Sequence, residues 1–262
     1  MAVSREPGMT GIDAARVEEA GLNALQTQRQ LFYDGWLLRL SPGKAKRARS
    51  VNAHFGSTLP LAAKIAHCEA LYARHGLPAL FRITPFVRPA DLEAALAARG
   101  YASFEETLVM ATPLAAPPAV PALAAGITLT DVDASGFIDA VGDLRGSPSA
   151  QRDAQRERLV HSPLAKRMIA MRAGGDIVCA AQVAIDGDLA GIFDVVTAPA
   201  ARGKGYATLA CGELLAWARE QGALSAYLQV SADNAPAIAV YRKFGFATSY
   251  TYHYRGRPGE CE

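Results

Sequence analysis

Apolar residues recur along most of the chain with a period of two or of about 3.6, the spacings of strands and helices. In the second half this pattern predicts strands at 127–130, 166–172, 177–185, 189–196, 225–230 and 247–254, and helices around 137–144, 150–160, 206–221 and 235–244. The helix over 206–221 has an apolar stripe that includes Cys211, Leu214 and Trp217, and Gly222 ends it. Strands that alternate with helices indicate an α/β fold.

The first half shows a similar mixture. Helices are predicted at 12–27, 60–75 and 89–99, and strands at 31–40, 51–55, 79–83 and 104–112. The two halves are separated by residues 113–122, in which four prolines within nine residues can continue neither a helix nor a central strand. We therefore expect a domain over 1–112, a linker over 113–125, a second domain over 126–256 and a short tail over 257–262.

The composition changes this picture little. The chain has 262 residues, long enough for two domains, and its formal net charge is +2. That near-balance gives no support to a nucleic-acid or membrane-surface partner. No signal-peptide core or run of eighteen apolar residues occurs, so we expect a cytoplasmic protein. The four cysteines are scattered without paired metal-ligand spacing, which predicts neither a disulfide framework nor a metal site.

The stretch over 194–207 is the clearest chemical signal, because an apolar strand leads into a basic, glycine-rich loop and then into a helix. Gly203 and Gly205 lack a Cβ, so their backbone can bend sharply and its N–H groups can approach a ligand. The first N–H groups of the helix have no partner within the helix, and the helix dipole favours negative charge there. A pyrophosphate would be held by these amides, with Arg202 and Lys204 adding positive charge.

The spacing of the glycines distinguishes between kinds of phosphate loop. A Walker A loop is excluded because Tyr206 follows Gly205, and the dinucleotide fingerprint is excluded because Thr208 stands where it needs glycine. The pattern Arg/Gln-x-x-Gly-x-Gly/Ala is matched from Arg202 to Ala207. This resembles the acetyl-CoA-binding motif of the GNAT N-acetyltransferase superfamily. The segment over 234–246, about thirty residues downstream, resembles the second signature of that family.

The resemblance covers about residues 126–256. It implies a GNAT fold, a mixed and strongly twisted sheet flanked by helices, with acetyl-CoA as the co-substrate. The segments 35–39 and 47–51 are similar to a degenerate GNAT-like domain that precedes the working domain in some bacterial members. By resemblance, the cofactor-binding residues would be Val195, Val196, Thr197, Arg202, Gly203, Lys204, Gly205, Tyr206, Ala207, Thr208, Asn234 and Tyr241.

Three polar side chains could take part in the chemistry. Tyr241 matches the position where the family commonly has a tyrosine that protonates the leaving thiolate, although a tyrosine on a helix also serves in packing. Asp194 interrupts an apolar strand and shares the parity of Ile192 and Val196, so it is a candidate base or amine-binding group. Structural hydrogen bonding of Asp194, or proton transfer through water, is the alternative. Asn234 would cap the following helix and contact the pantetheine amides.

The implied reaction is direct transfer of acetyl to a primary amine, since no cysteine lies near the thioester position in the motif strands. The acceptor cannot be read from the sequence, and a monomer or a homodimer is expected. A protein that binds acetyl-CoA as a sensor, without turnover, is the alternative. The basic cluster Lys44, Lys46, Arg47 and Arg49 is either a solvated loop or a contact with an acidic substrate or with the ribose phosphate of the cofactor.

Overall fold

The computed structural model describes residues 11–115 and 122–260, which form two compact units. The C-terminal unit comprises the described part of Met1–Ala24 together with Val109–Ser249, and the N-terminal unit comprises Leu25–Leu108 with the described part of Tyr250–Glu262. Two strands of the chain each run from one unit into the other, and the expected domain boundaries stay a prediction. Part of the expected linker, residues 116–121, lies outside the described residues.

The elements follow the predicted order of strands and helices, with one addition. The helices are α1 (Ala14–Ala24), α2 (Leu61–Arg74), α3 (Leu92–Ala98), α4 (Ala134–Arg145), α5 (Ser149–Val160), α6 (Tyr206–Glu220) and α7 (Ala235–Arg242). The strands are β1 (Gln30–Tyr33), β2 (Trp36–Arg39), β3 (Ser50–Ala53), β4 (Leu80–Ile83), β5 (Ala102–Pro113), β6 (Ile127–Asp131), β7 (Ala165–Ala173), β8 (Asp176–Asp186), β9 (Leu189–Thr197), β10 (Ser225–Ser231) and β11 (Ala247–Gly256).

The addition is a hairpin where one strand over 31–40 was predicted. β1 and β2 pair antiparallel across Asp34 and Gly35, whose φ angles are 43° and 83°. Aspartate and glycine are among the residues that adopt this left-handed backbone most readily, so the Asp-Gly pair closes a tight turn. The sequence pattern did not predict this turn, because the aromatic residues Phe32, Tyr33 and Trp36 on either side of it are typical of a continuous strand. The single-strand prediction is therefore wrong.

The sheet of the C-terminal unit has the order β5-β10-β9-β8-β7-β6. β7, β8 and β9 form an antiparallel meander, and α6 then crosses over so that β10 lies parallel to β9. Phe137, Ile138 and Val141 of α4 form a core with Ala170 and Ala180 on one face. α6 packs against β8 and β9 on the other face of the sheet. Cys211 of α6 lies near Cys179 of β8, and the next residue of that strand, Ala180, points to the opposite face, towards α4.

The N-terminal unit repeats this chain order on a smaller scale. β1, β2 and β3 form an antiparallel meander, α2 follows, β4 lies parallel to β3, and α3 comes next. β11, the last strand of the chain, pairs antiparallel with β4. Trp36, Phe81 and Leu96 belong to one buried core that the helices of the unit cover. In the described parts of the chain, no helix has both the length and the hydropathy that crossing a lipid bilayer requires.

Candidate functional site

The two central strands of the C-terminal unit separate at one end. β9 and β10 are paired from Leu189 with Ser225 to Ile192 with Leu228. β9 continues to Thr197 and β10 to Ser231 without further pairing between them. Backbone N–H and C=O groups along the gap are consequently not used in a ladder between these strands, and an extended ligand chain could bind there as an added strand does.

A β-bulge lies at the same end of β9. The register with β8 passes from Phe193 opposite Gln182 to Val196 opposite Ala180, so two residues of β9 stand opposite one of β8. Asp194 lies in the bulge with φ of 48°, a left-handed backbone that aspartate tolerates better than most residues. Directly opposite residues share a face, so Val196 shares the face of Phe193 and not that of Ile192. The predicted common parity of Ile192, Asp194 and Val196 is wrong, because strict alternation does not survive the extra residue.

The carboxylate of Asp194 accepts hydrogen bonds from side chains on α4, α5 and β8. Arg145 at the end of α4 donates through Nη1 at 2.8 Å, Gln155 of α5 through Nε2 at 3.1 Å, and Gln182 of β8 through Nε2 at 2.8 Å. Its side chain is 23% exposed, so the carboxylate is not sealed from solvent. No local motif marks these three donors, since only the packing of α4 and α5 on the sheet brings them to Asp194. Sequence reasoning missed all three.

The glycine-rich loop leads from the separated end of β9 into α6. A single 3-10 turn, Pro199–Ala201, precedes it, and Gly203 and Gly205 have φ angles of 76° and 84°. A Cβ built on either glycine would meet nothing within 4 Å, so the space beside this backbone is open. Gly205 is the N-cap of α6 and offers no side-chain acceptor to the first N–H groups of the helix. These groups are therefore available to an anion.

Arg202 and Lys204 flank Gly203 and are exposed. Within the described parts of the chain, neither side chain has a hydrogen bond or an ion pair. A guanidinium and an ammonium without a carboxylate partner, beside open amides at a helix N-terminus, suit a phosphorylated ligand. The structure thus brings the predicted loop residues and the predicted strand residues to the same end of the sheet.

α7 contributes the remaining predicted residues. Asn234 caps this helix, as expected, because its Oδ1 accepts from the N–H of Ala237 at 3.2 Å. Tyr241 is 8% exposed, and burial is the main cause that raises the pKa of its hydroxyl, with the thiols of Cys211 and Cys179 also contributing. Cys179 in turn accepts a hydrogen bond from Thr197 Oγ1 at 3.6 Å. Tyr241 therefore lies close to the end of β9 and is protonated at neutral pH.

The basic cluster of the first half has a different environment. Lys44 is exposed, whereas Lys46 forms an ion pair of 2.7 Å with Glu105, so these two lysines do not act together. A separate open pocket of about 430 Å³ lies where Asp131 and Arg167 meet Trp217 and Glu220, near the C-terminal end of α6. It contains none of the predicted cofactor residues, and we assign it no role.

Comparisons with known proteins agree with this geometry. The model of the acetyltransferase (GNAT) family matches residues 139–246. The chain is 27% identical over 255 residues to the uncharacterized N-acetyltransferase YobR of Bacillus subtilis (strain 168), covering 93% of this chain and 98% of that protein. It is 40% identical over 79 residues to the streptothricin acetyltransferase of Streptomyces lavendulae, covering 25% of this chain and 42% of that protein.

Solved structures share the fold at low sequence identity. A GCN5-related N-acetyltransferase from Kribbella flavida superposes with a TM-score of 0.67 and 20% identity, covering 94% of this chain and 96% of that one. A tandem GNAT protein from the clavulanic acid biosynthesis pathway superposes with a TM-score of 0.61 and 18% identity, covering 74% and 68% of the two chains. These likenesses concern the fold, and the expected α/β architecture is confirmed.

Proposed function

We propose that this chain, whose residues 139–246 match the model of the acetyltransferase (GNAT) family, transfers an acetyl group from acetyl-CoA directly to a primary amine. The observation that carries the proposal is the separation of β9 from β10 after Ile192 and Leu228, next to the glycine-rich loop. A slot with free backbone groups, followed by an anion-binding helix start, suits a ligand with an extended amide-containing arm and a diphosphate.

Each part of the cofactor would be held by a different group of residues. The N–H groups of the loop from Gly203 to Gly205 and the start of α6, including Ala207 and Thr208, would bind the diphosphate, with Arg202 and Lys204 adding charge. The backbone of the stretch from Val195 through Val196 to Thr197, on its side away from β8, would pair with the pantetheine arm. Asn234 would contribute at the opposite strand, beyond its observed role as a helix cap.

Two groups would assist the acyl transfer itself. A backbone N–H at this end of β9 would polarise the thioester oxygen as negative charge develops there. The N–H of Val196 itself faces β8, because Ala198 donates to Val178 and Val196 stands opposite Ala180, two residues earlier in the same ladder. Tyr241, whose pKa burial raises above its ordinary value and whose hydroxyl therefore carries its proton, would give that proton to the departing thiolate sulfur. The neighbouring thiols support direct transfer, because burial raises the pKa of Cys179 to about 11 and that of Cys211 still further. Neither is a competent nucleophile near neutral pH.

Asp194 would receive the acceptor. An alkyl amine has a pKa of about 10.4 and therefore arrives as an ammonium, which must lose a proton before it attacks. The partly exposed carboxylate of Asp194 would accept a hydrogen bond from that ammonium, while Arg145, Gln155 and Gln182 keep the carboxylate oriented. The proton would pass to Asp194 or to water.

The test is release of CoA, detected with a thiol reagent, from acetyl-CoA and a panel of amines. We expect turnover with at least one amine class, and a Tyr241→Phe variant that loses rate while keeping its affinity for acetyl-CoA. Affinity for acetyl-CoA without turnover on any amine would favour a sensor. No binding of acetyl-CoA by calorimetry would refute the proposed function as a whole.

A further inference from the structure

Lys166, near the start of β7, has an unusual environment for a lysine. Its Nζ is buried and makes no hydrogen bond to any described residue. An ammonium without partners is unstable away from water, and burial is the main cause that lowers the pKa of Lys166 to about 8. Two charged neighbours act on it in opposite directions, because Arg158 of α5 lowers this pKa and Asp194 of β9 raises it.

The sheet register explains why Lys166 and Asp194 are close. Met168 packs into the core under α4, and Lys166, two residues before it, lies on the same face of β7. Met168 stands opposite Gln182 of β8, whose side chain donates to Asp194. Lys166 stands opposite Ala184, whose small side chain leaves room for the lysine beside this row. No hydrogen bond joins Lys166 to Asp194, so their interaction is through space.

We propose that Lys166 controls the binding of the acceptor amine: a cationic acceptor binds well at Asp194 when Lys166 is neutral and poorly when Lys166 is protonated. This inference rests on the proposed function, in which Asp194 receives the ammonium. Other charged groups also face this region. Arg158 on α5 and Arg145 on α4 lie on the side of Asp194, and Asp131, Arg167 and Glu220 line an open pocket together with Lys166. Lys166 is thus the group whose charge can change when a second cation arrives.

The linkage has a definite proton balance. A cationic acceptor that binds beside Asp194 repels the positive charge of Lys166 and so lowers the pKa of that lysine further. Lys166 then releases one proton to the solvent, and no other bond is made or broken. Because linkage is reciprocal, loss of that proton strengthens acceptor binding by the same factor. Acceptor affinity should therefore rise as the pH increases from 7 to 9.

The experiment uses the full chain with acetyl-CoA and the amine that gives the highest turnover in the panel. The trimethylammonium derivative of that amine serves as the probe, because its charge does not change with pH and it cannot be acetylated. Its inhibition constant is measured between pH 6.5 and 9.5 for the wild type and for the Lys166→Met and Lys166→Arg variants. Methionine has a similar length without a charge, whereas arginine keeps its charge throughout.

We expect the wild-type inhibition constant to fall about fivefold to tenfold as the pH rises, which corresponds to a coupling of roughly 1–1.4 kcal/mol. In Lys166→Met it should stay low at every pH, and in Lys166→Arg it should stay high. Calorimetry in buffers of different ionisation enthalpy should show proton release at pH 7 in the wild type and none in Lys166→Met. A wild-type pH dependence that persists in Lys166→Met would overturn the inference while turnover still supports the proposed function. Absence of turnover with every amine would instead refute the proposed function.

Discussion

Gly205 offers the sharpest test of the anion-binding loop, because α6 provides its own control. Gly205 lies at the start of this helix with φ of 84°, and Gly222 lies after its end with φ of 94°. A Cβ added at either position would meet nothing within 4 Å, so alanine causes no steric clash in either case. Both substitutions should therefore carry only the cost of a left-handed backbone, about 1–2 kcal/mol in the free energy of unfolding.

The two variants should differ in ligand binding. If Gly205→Ala relaxes its backbone toward negative φ, the adjacent N–H groups turn away from the position of the diphosphate. Loss of one hydrogen bond to a charged group is worth about 1.5–3 kcal/mol. That range corresponds to a Kd for acetyl-CoA raised roughly 10- to 100-fold. Gly222→Ala lies at the far end of a 15-residue helix and should bind acetyl-CoA as the wild type does.

Urea denaturation measures the first effect and isothermal titration calorimetry with acetyl-CoA the second. We expect losses of stability of at most this size in both variants, smaller in Gly205→Ala because its backbone relaxes, and a loss of affinity in Gly205→Ala alone. Wild-type affinity in a Gly205→Ala variant whose loss of stability is smaller than that of Gly222→Ala, the sign that its backbone has relaxed, would show that these amides do not hold the diphosphate. An equal loss of affinity in Gly222→Ala would show that the effect is a general one of helix destabilisation.

Three further predictions concern single side chains. Asn234→Ala removes the cap of α7 and should lower the free energy of unfolding by about 1 kcal/mol, measured in urea, whereas Asn234→Ser should recover most of it. Asp194→Asn removes the charge but keeps a residue that tolerates the left-handed backbone. The kcat/KM for the amine should fall at least tenfold, while the affinity for acetyl-CoA stays unchanged. An unchanged kcat/KM would show that Asp194 takes no part in the reaction. Folding lowers the pKa of Lys166 from 10.5 to about 8, so the unfolded chain binds this proton more tightly and stability should rise between about pH 8 and pH 10.5. Lys166→Met should abolish that rise and gain about 2 kcal/mol at pH 7 after allowance for solvent screening, and a variant less stable than the wild type at pH 7 would contradict this.

The periodicity of the second half predicted its elements in order, since most strands and helices there have apolar residues at the strand or helix period. The strand predicted at 189–196 is β9, and the helix predicted at 206–221 is α6, each within one residue at its end. The glycine-rich loop between them was equally readable. Its conformation depends on Gly203 and Gly205 themselves and on the helix that follows, all of which are adjacent in the chain.

The site around Asp194 was not readable in this way. The bulge in β9 has no local signature, because it depends on how many residues of β8 stand opposite. Strict alternation therefore assigned the wrong face to Val196. The expected domain boundaries also stay untested, and the strands β5 and β11 each belong to both compact units.

Local sequence thus determined the elements, the loop and the cap at Asn234, since each depends on neighbours within a few residues. Tertiary structure alone decided what surrounds Asp194. Arg145 is 49 residues away along the chain and Gln155 is 39. Lys166 is buried by residues of the sheet and of α5. No pattern within β7 distinguishes it from an ordinary lysine in a strand. Charges act through space, so the chemistry of this carboxylate is set by residues that only folding brings together.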